Sequence, residues 1–126
     1  MISKLTLLLM LPFFFLSCSK SELLPGQELK LDEYLISNNR KNKLILQIDG
    51  NLVLYGEDRK ALWVSGTSGK PVTRCVMQQD GNLVLYSADD KVYWSSNTTN
   101  TPGAYLKVLD NGSFVIYKPM FTSDSK

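Results

Sequence analysis

Polar and apolar positions alternate along one stretch of the chain. Gln47, Asp49, Asn51, Val53 and Tyr55 fall on one parity, and Ile48, Gly50, Leu52 and Leu54 fall on the other. A period of two belongs to extended backbone, whose successive side chains point to opposite faces. Residues 44–48, 51–55 and 62–65 are short runs rich in branched and aromatic residues, each bounded by Gly, Asp, Asn or Ser. Such runs predict strands. Beyond residue 17 no stretch of useful length carries a helical period.

The pattern repeats. Gln47-Ile48-Asp49-Gly50-Asn51-Leu52-Val53-Leu54-Tyr55 returns as Gln78-Gln79-Asp80-Gly81-Asn82-Leu83-Val84-Leu85-Tyr86, and more loosely as Leu109-Asp110-Asn111-Gly112-Ser113-Phe114-Val115-Ile116-Tyr117. The interval is 31 residues both times, and Leu44, Cys75 and Leu106 keep the same register. Three copies of a few short strands predict an all-β protein of three small antiparallel sheets about a pseudo-threefold axis. No sheet of that size buries its own apolar face, so the copies must share one core. Trp63 and Trp94 each follow their tyrosine by eight residues. Together with Phe121 they are candidates for its centre. Residues 25–38 have no full counterpart, and their segments 27–31 and 34–37 are expected to complete the third sheet.

One geometry gives the repeated polar residues a purpose. As a single straight strand, Gln47 and Tyr55 would lie roughly 26 Å apart, too far for one small ligand. Asp-Gly between apolar runs is a hairpin signal. With Asp49-Gly50-Asn51 as a three-residue loop, Ile48 faces Leu52, Gln47 faces Val53 and Ile45 faces Tyr55. Gln47, Val53 and Tyr55 then share a face within roughly 7 Å, with Asp49 and Asn51 at the turn. A two-residue loop would scatter them. The gathered set is a carboxylate, two carboxamides, a phenol and an apolar patch. These groups suit a sugar, which offers adjacent hydroxyls on a partly apolar ring.

Composition narrows the chemistry. The 126 residues allow one domain, and 44% apolar with 21% charged residues is ordinary for a folded protein. Fourteen basic against twelve acidic residues give +2, too balanced for a dedicated nucleic-acid binder. The absence of histidine removes Ser-His-Asp and Cys-His catalysis and most transition-metal sites. Two cysteines make neither a disulfide scaffold nor a four-ligand zinc site. Glycosidase chemistry needs two acids about 5–10 Å apart across one bond, whereas Asp49 and Asp80 occupy equivalent positions in separate repeats. No catalytic residue, metal or cofactor is expected.

Residues 5–16 are apolar except for Thr6 and Pro12, and follow Lys4. The run is too short for a bilayer span of about 20 residues but fits a signal-peptide core. Two processing routes fit. Ser17 and Ser19 form a small-x-small pair that an ordinary signal peptidase could use. Phe15-Leu16-Ser17-Cys18 resembles a bacterial lipoprotein box, with Phe15 where leucine is usual, and implies cleavage before an acylated Cys18. The favoured division is a lipoprotein-type signal over 1–17, a short tether over 18–24 and a domain over 25–126. The protein is then exported and lipid-anchored to a bacterial membrane, or secreted if Cys18 is not acylated.

The repeated Gln-x-Asp-x-Asn-x-Val-x-Tyr resembles the signature of the bulb-type, mannose-binding monocot lectins, a family also found in bacteria, fungi and fish. The likeness covers roughly residues 25–121, including Pro25-Gly26-Gln27 and the two Trp-x-Ser strands. It implies a β-prism II fold of three four-stranded sheets and binding of mannose-containing glycans. The implied sites are Gln47, Asp49, Asn51, Val53 and Tyr55, then Gln78, Asp80, Asn82, Val84 and Tyr86. In each, the aspartate and asparagine would hold the axial 2-hydroxyl, the glutamine the 3-hydroxyl and the tyrosine the 4-hydroxyl, with the valine against the ring. Leu109 cannot hydrogen-bond where glutamine is expected. Asn111 and Ser113 replace the acid and amide while Val115 and Tyr117 remain, so the third site should be very weak or dead. Relatives usually carry a disulfide, of which Cys75 resembles one half; the partner position is Gly50 here. The rival expectation is a prism scaffold acting through protein contacts with its sugar sites unused. Whether the chain is a monomer or a dimer is open.

Overall fold

The computed structural model describes residues 19–120. Cys18, the apolar run before it and Phe121 lie outside the described residues. The described chain contains eleven strands and one 3₁₀ turn, at Glu57–Arg59. In order the strands are β1 (Glu22–Leu23), β2 (Glu28–Lys30), β3 (Tyr34–Ile36), β4 (Lys43–Leu46), β5 (Leu52–Tyr55) and β6 (Ala61–Val64). They continue with β7 (Val72–Met77), β8 (Leu83–Ser87), β9 (Val92–Ser95), β10 (Tyr105–Val108) and β11 (Phe114–Tyr117).

The strands form three antiparallel sheets, ordered β3-β4-β5-β6, β2-β7-β8-β9 and β1-β10-β11. Each repeat supplies a hairpin, central in the first two sheets, and the three hairpins share one register. Leu46 pairs with Leu52, Met77 with Leu83 and Val108 with Phe114 just before the loop. The two-residue period sends alternate side chains inward, so Leu44 and Leu46, Cys75 and Met77, and Leu106 and Val108 are buried. With Leu52, Leu54, Leu83 and Leu85 they merge into one core. Full burial of a leucine contributes about 1.5–3 kcal/mol, so it is the shared core that makes such small sheets stable.

Two expectations are corrected. Residues 27–31 and 34–37 do not complete the third sheet. Instead β2 pairs with β7 and β3 with β4, completing the second and first sheets. The third sheet takes β1, from the segment expected to be a tether, and Leu23 there is fully buried. The ordered domain therefore begins before residue 25. Leu29 and Leu35 each place one apolar side chain into the common core, which lets either strand serve any of the three sheets. Local pattern alone does not choose between them. Among the described residues the third sheet has three strands rather than four.

Trp63 stands edge-on to Trp94 at 5.4 Å and to Phe114 at 4.8 Å, both packed against the core. Edge-to-face pairs of this kind add about 0.5–1.5 kcal/mol beyond area burial. Among the described residues, the third ring beside Trp63 is Phe114 of β11. Bulges at Leu54/Tyr55 and Leu85/Tyr86 leave Leu62 and Tyr93 as extra residues and set the tryptophans opposite Leu54 and Leu85. Cys75 is free and buried. Gly50, at the position the resemblance gives its partner, has φ +90°, and a Cβ there would stand 2.3 Å from the Lys70 carbonyl oxygen.

Candidate functional site

The expected hairpin is present with odd loop length, but its register differs by two residues from the expectation. Gln47 faces Asn51, Ile45 faces Val53 and Lys43 faces Tyr55. The loop is Ile48-Asp49-Gly50, closed by the Gly50 N–H donating to the Gln47 carbonyl at 2.9 Å. This is the three-residue hairpin in which a turn precedes a left-handed residue, and Gly50 supplies that conformation. Ile48 projects from the loop, 75% exposed. A shift of two preserves parity, so Gln47, Val53 and Tyr55 still share a face.

On that face the Gln47 Nε2 donates to the Tyr55 hydroxyl, and Gln78 does the same to Tyr86. Val53 and Val84 lie beneath, each 2% exposed. The Asn51 N–H donates to Asp49 Oδ1 at 3.0 Å, and Asn82 repeats this with Asp80 at 3.0 Å. Both aspartates are exposed at the hairpin tips. Ser68 Oγ donates to the second Asp49 oxygen at 2.8 Å, a bond found in the first copy.

Asn51 is held by residues that sequence reasoning missed. Its Oδ1 accepts from Ser65 Oγ, Gly66 N–H and Thr67 N–H, each at 3.1 Å. Thr67 Oγ1 in turn donates to the Gly50 carbonyl at 2.7 Å, and Ser65 Oγ accepts from the Leu52 N–H at 3.0 Å. Ser96 and Thr98 repeat the arrangement around Asn82. The signal was available: Ser65-x-Thr67 recurs as Ser96-x-Thr98 at the same 31-residue interval.

These bonds decide which atoms remain for a ligand. With Asn51 Oδ1 occupied by donors, its amide is oriented and Nδ2 remains as a donor. Tyr55 accepts from Gln47 and keeps its own proton to donate, while Gln47 Oε1 remains an acceptor. The Asp49 carboxylate retains lone pairs. Each site therefore offers donors and acceptors together over an apolar base, a match for vicinal hydroxyls, each of which both donates and accepts.

The third copy has the hairpin without this set. Ser113 N–H and Oγ both donate to Asn111 Oδ1, at 3.1 and 2.7 Å, so the two polar side chains satisfy each other. The Leu109 carbonyl accepts from Asn42 Nδ2 at 2.9 Å. Tyr117 lies against Tyr105, ring centroids 5.5 Å apart, and Val115 is half-buried on β11, an edge strand among the described residues. Among the described residues no group of three His, Cys, Asp or Glu is placed to hold a metal ion.

No family model matches the chain, and no curated protein sequence matches it. Solved structures do. The snowdrop (Galanthus nivalis) mannose-specific agglutinin, complexed with methyl-α-D-mannoside, is 31% identical over 85% of this chain and 98% of its own, with a TM-score of 0.74. Tarin lectin bound to trimannose is 34% identical over 86% and 97%, at 0.72. A monomeric monocot mannose-binding lectin from Gastrodia elata is 39% identical over 78% and 87%, at 0.69. The fold is the β-prism II of lectins. The chain belongs to the bulb-type, mannose-binding monocot lectin family.

Proposed function

We propose that the protein binds mannose-type glycans through two sites, the first built on Gln47, Asp49, Asn51, Val53 and Tyr55 and the second on Gln78, Asp80, Asn82, Val84 and Tyr86. The observation that carries this is the recurrence, at equivalent places in two hairpins, of the Gln–Tyr bond beside an oriented Asn and an exposed Asp. The named ligands of the snowdrop and tarin structures, a mannoside and trimannose, support the same class. In each site Asp and Asn take the 2-hydroxyl, Gln the 3-hydroxyl, Tyr the 4-hydroxyl, and Val meets the ring. Binding is reversible recognition with no bond made or broken. Single exposed sites are weak, and two on one chain gain from simultaneous engagement.

Calorimetric titration with methyl-α-mannoside tests this. Heat is expected at millimolar sugar, lost when Asp49→Ala and Asp80→Ala are combined while the β-sheet circular dichroism persists. No heat from the unaltered protein would favour the scaffold that works through protein contacts. We further propose export with acylation of Cys18, supported by the apolar run and the residues before that cysteine. Mass spectrometry of the mature N-terminus distinguishes it from simple secretion.

A further inference from the structure

The first site does not end at Gln47 and Tyr55. These side chains line a cleft of about 750 Å³ that extends to the turn at Glu57–Arg59. Ile36 and Ile45 give it apolar lining suited to the face of a second sugar ring. Arg40, Lys41, Lys43 and Arg59 also line it, against the two carboxylates of Glu57 and Asp58. Lys41 lies 3.9 Å from Glu57. Arg40, Lys43 and Arg59 have no carboxylate within ion-pair distance among the described residues. The Lys43 ammonium rests over the Tyr34 ring at 4.5 Å, a contact that leaves its charge uncompensated.

The other copies lack this feature. The position of Lys43 is taken in the second copy by Arg74, whose guanidinium is bonded to Asp90 and lies over the Tyr86 ring at 4.6 Å. In the third copy it is Tyr105, stacked with Tyr117. One register position thus carries an unneutralised cation, a neutralised one and an aromatic ring.

We infer that the cleft beside the first site is an anion subsite. It takes a phosphate or carboxylate group on the sugar adjoining a mannose held by Gln47 and Tyr55. The inference rests on the proposed mannose binding at that site.

The test uses Asp80→Ala protein, in which only the first site remains. Its calorimetric affinity is compared for a neutral mannobiose, the same disaccharide bearing a phosphate monoester, and one whose second residue is a uronate. Acidic ligands are expected to bind about tenfold tighter at low salt. The preference should shrink at about 0.5 M salt and in the added pair Lys43→Gln and Arg59→Gln, with the neutral affinity unchanged. A preference for only one acidic ligand identifies which anion the cleft takes. Asp49→Ala protein, reporting the second site, should show no preference. Equal affinity for neutral and acidic ligands in Asp80→Ala would overturn the subsite and leave mannose recognition standing. Failure of every neutral mannoside to bind would overturn mannose recognition and the subsite with it.

Discussion

The Gln47 amide donates to the Tyr55 hydroxyl across the hairpin, and Gln78 donates to Tyr86 in the same way. The bond fixes two long side chains in advance, so at the proposed site less rotamer freedom remains to be lost on binding. It also sets the polarity of the pair, with the phenol proton and the amide oxygen left for the ligand. Gln47→Leu reproduces the third copy, where Leu109 stands. In an Asp80→Ala background it should weaken mannoside binding at least about tenfold, because a site built for hydroxyls loses an acceptor and the order of its phenol. Calorimetry reads the affinity, and an unchanged urea midpoint should show that the fold is intact.

Asn51 and Asp49 should separate in their effects. Asn51→Ala removes the acceptor of Ser65, Gly66 and Thr67, which tie the loop after β6 to the hairpin. Donors left partly buried without partners cost about 1–3 kcal/mol, so urea denaturation should detect the loss even without sugar. Asp49→Asn keeps the shape of an exposed side chain and should lose mannoside affinity with little change in stability.

Gly81 is tested by alanine. Its φ is +93°, and a Cβ would stand 2.3 Å from the Thr101 carbonyl oxygen and 1.9 Å from Thr101 Oγ1. Gly81→Ala should destabilise by more than about 1 kcal/mol, since it combines a strained φ with contact against backbone. Thr101→Ala removes the nearer contact but not the carbonyl, and should rescue Gly81→Ala only in part. The comparison is made by thermal unfolding.

Burial, with a smaller contribution from Glu28, pushes the Cys75 thiol up from its usual 9.0 to about 12. The unfolded chain releases this proton first, so between about pH 9 and 12 the folded state holds more protons and stability falls as pH rises. The slope for this group is roughly 1.4 kcal/mol per pH unit across that window, with none below it. Denaturation of the unaltered protein and of Cys75→Ala across this range should differ by that slope. Thiol reagents should modify Cys75 in urea and not in the folded protein.

The 31-residue interval and the strand period carried the architecture, because repetition and alternation are written directly in residue order. The shared face of Gln47, Val53 and Tyr55 was legible for the same reason, since it depends on parity alone. The register was not. Ile48 has the side chain of a strand residue, and its β propensity drew it into the pairing. Gly50 was the better guide, because a three-residue loop of this type needs its left-handed residue last. The sheet assignments of β2 and β3 depend on where one leucine apiece enters a core common to all repeats. Thr67 and Thr98 were overlooked because they lie outside the repeated motif and are bonded to it through Asn51 and Asn82.

Both hairpins are founded on the same leucine interior, with no linker between them. The interval separating their tips is therefore a built-in dimension of the molecule, like the jaws of a caliper set once. Under the proposed function, a surface displaying mannose at that spacing should engage both tips and be released slowly. One displaying it at any other spacing should meet a single tip and be let go.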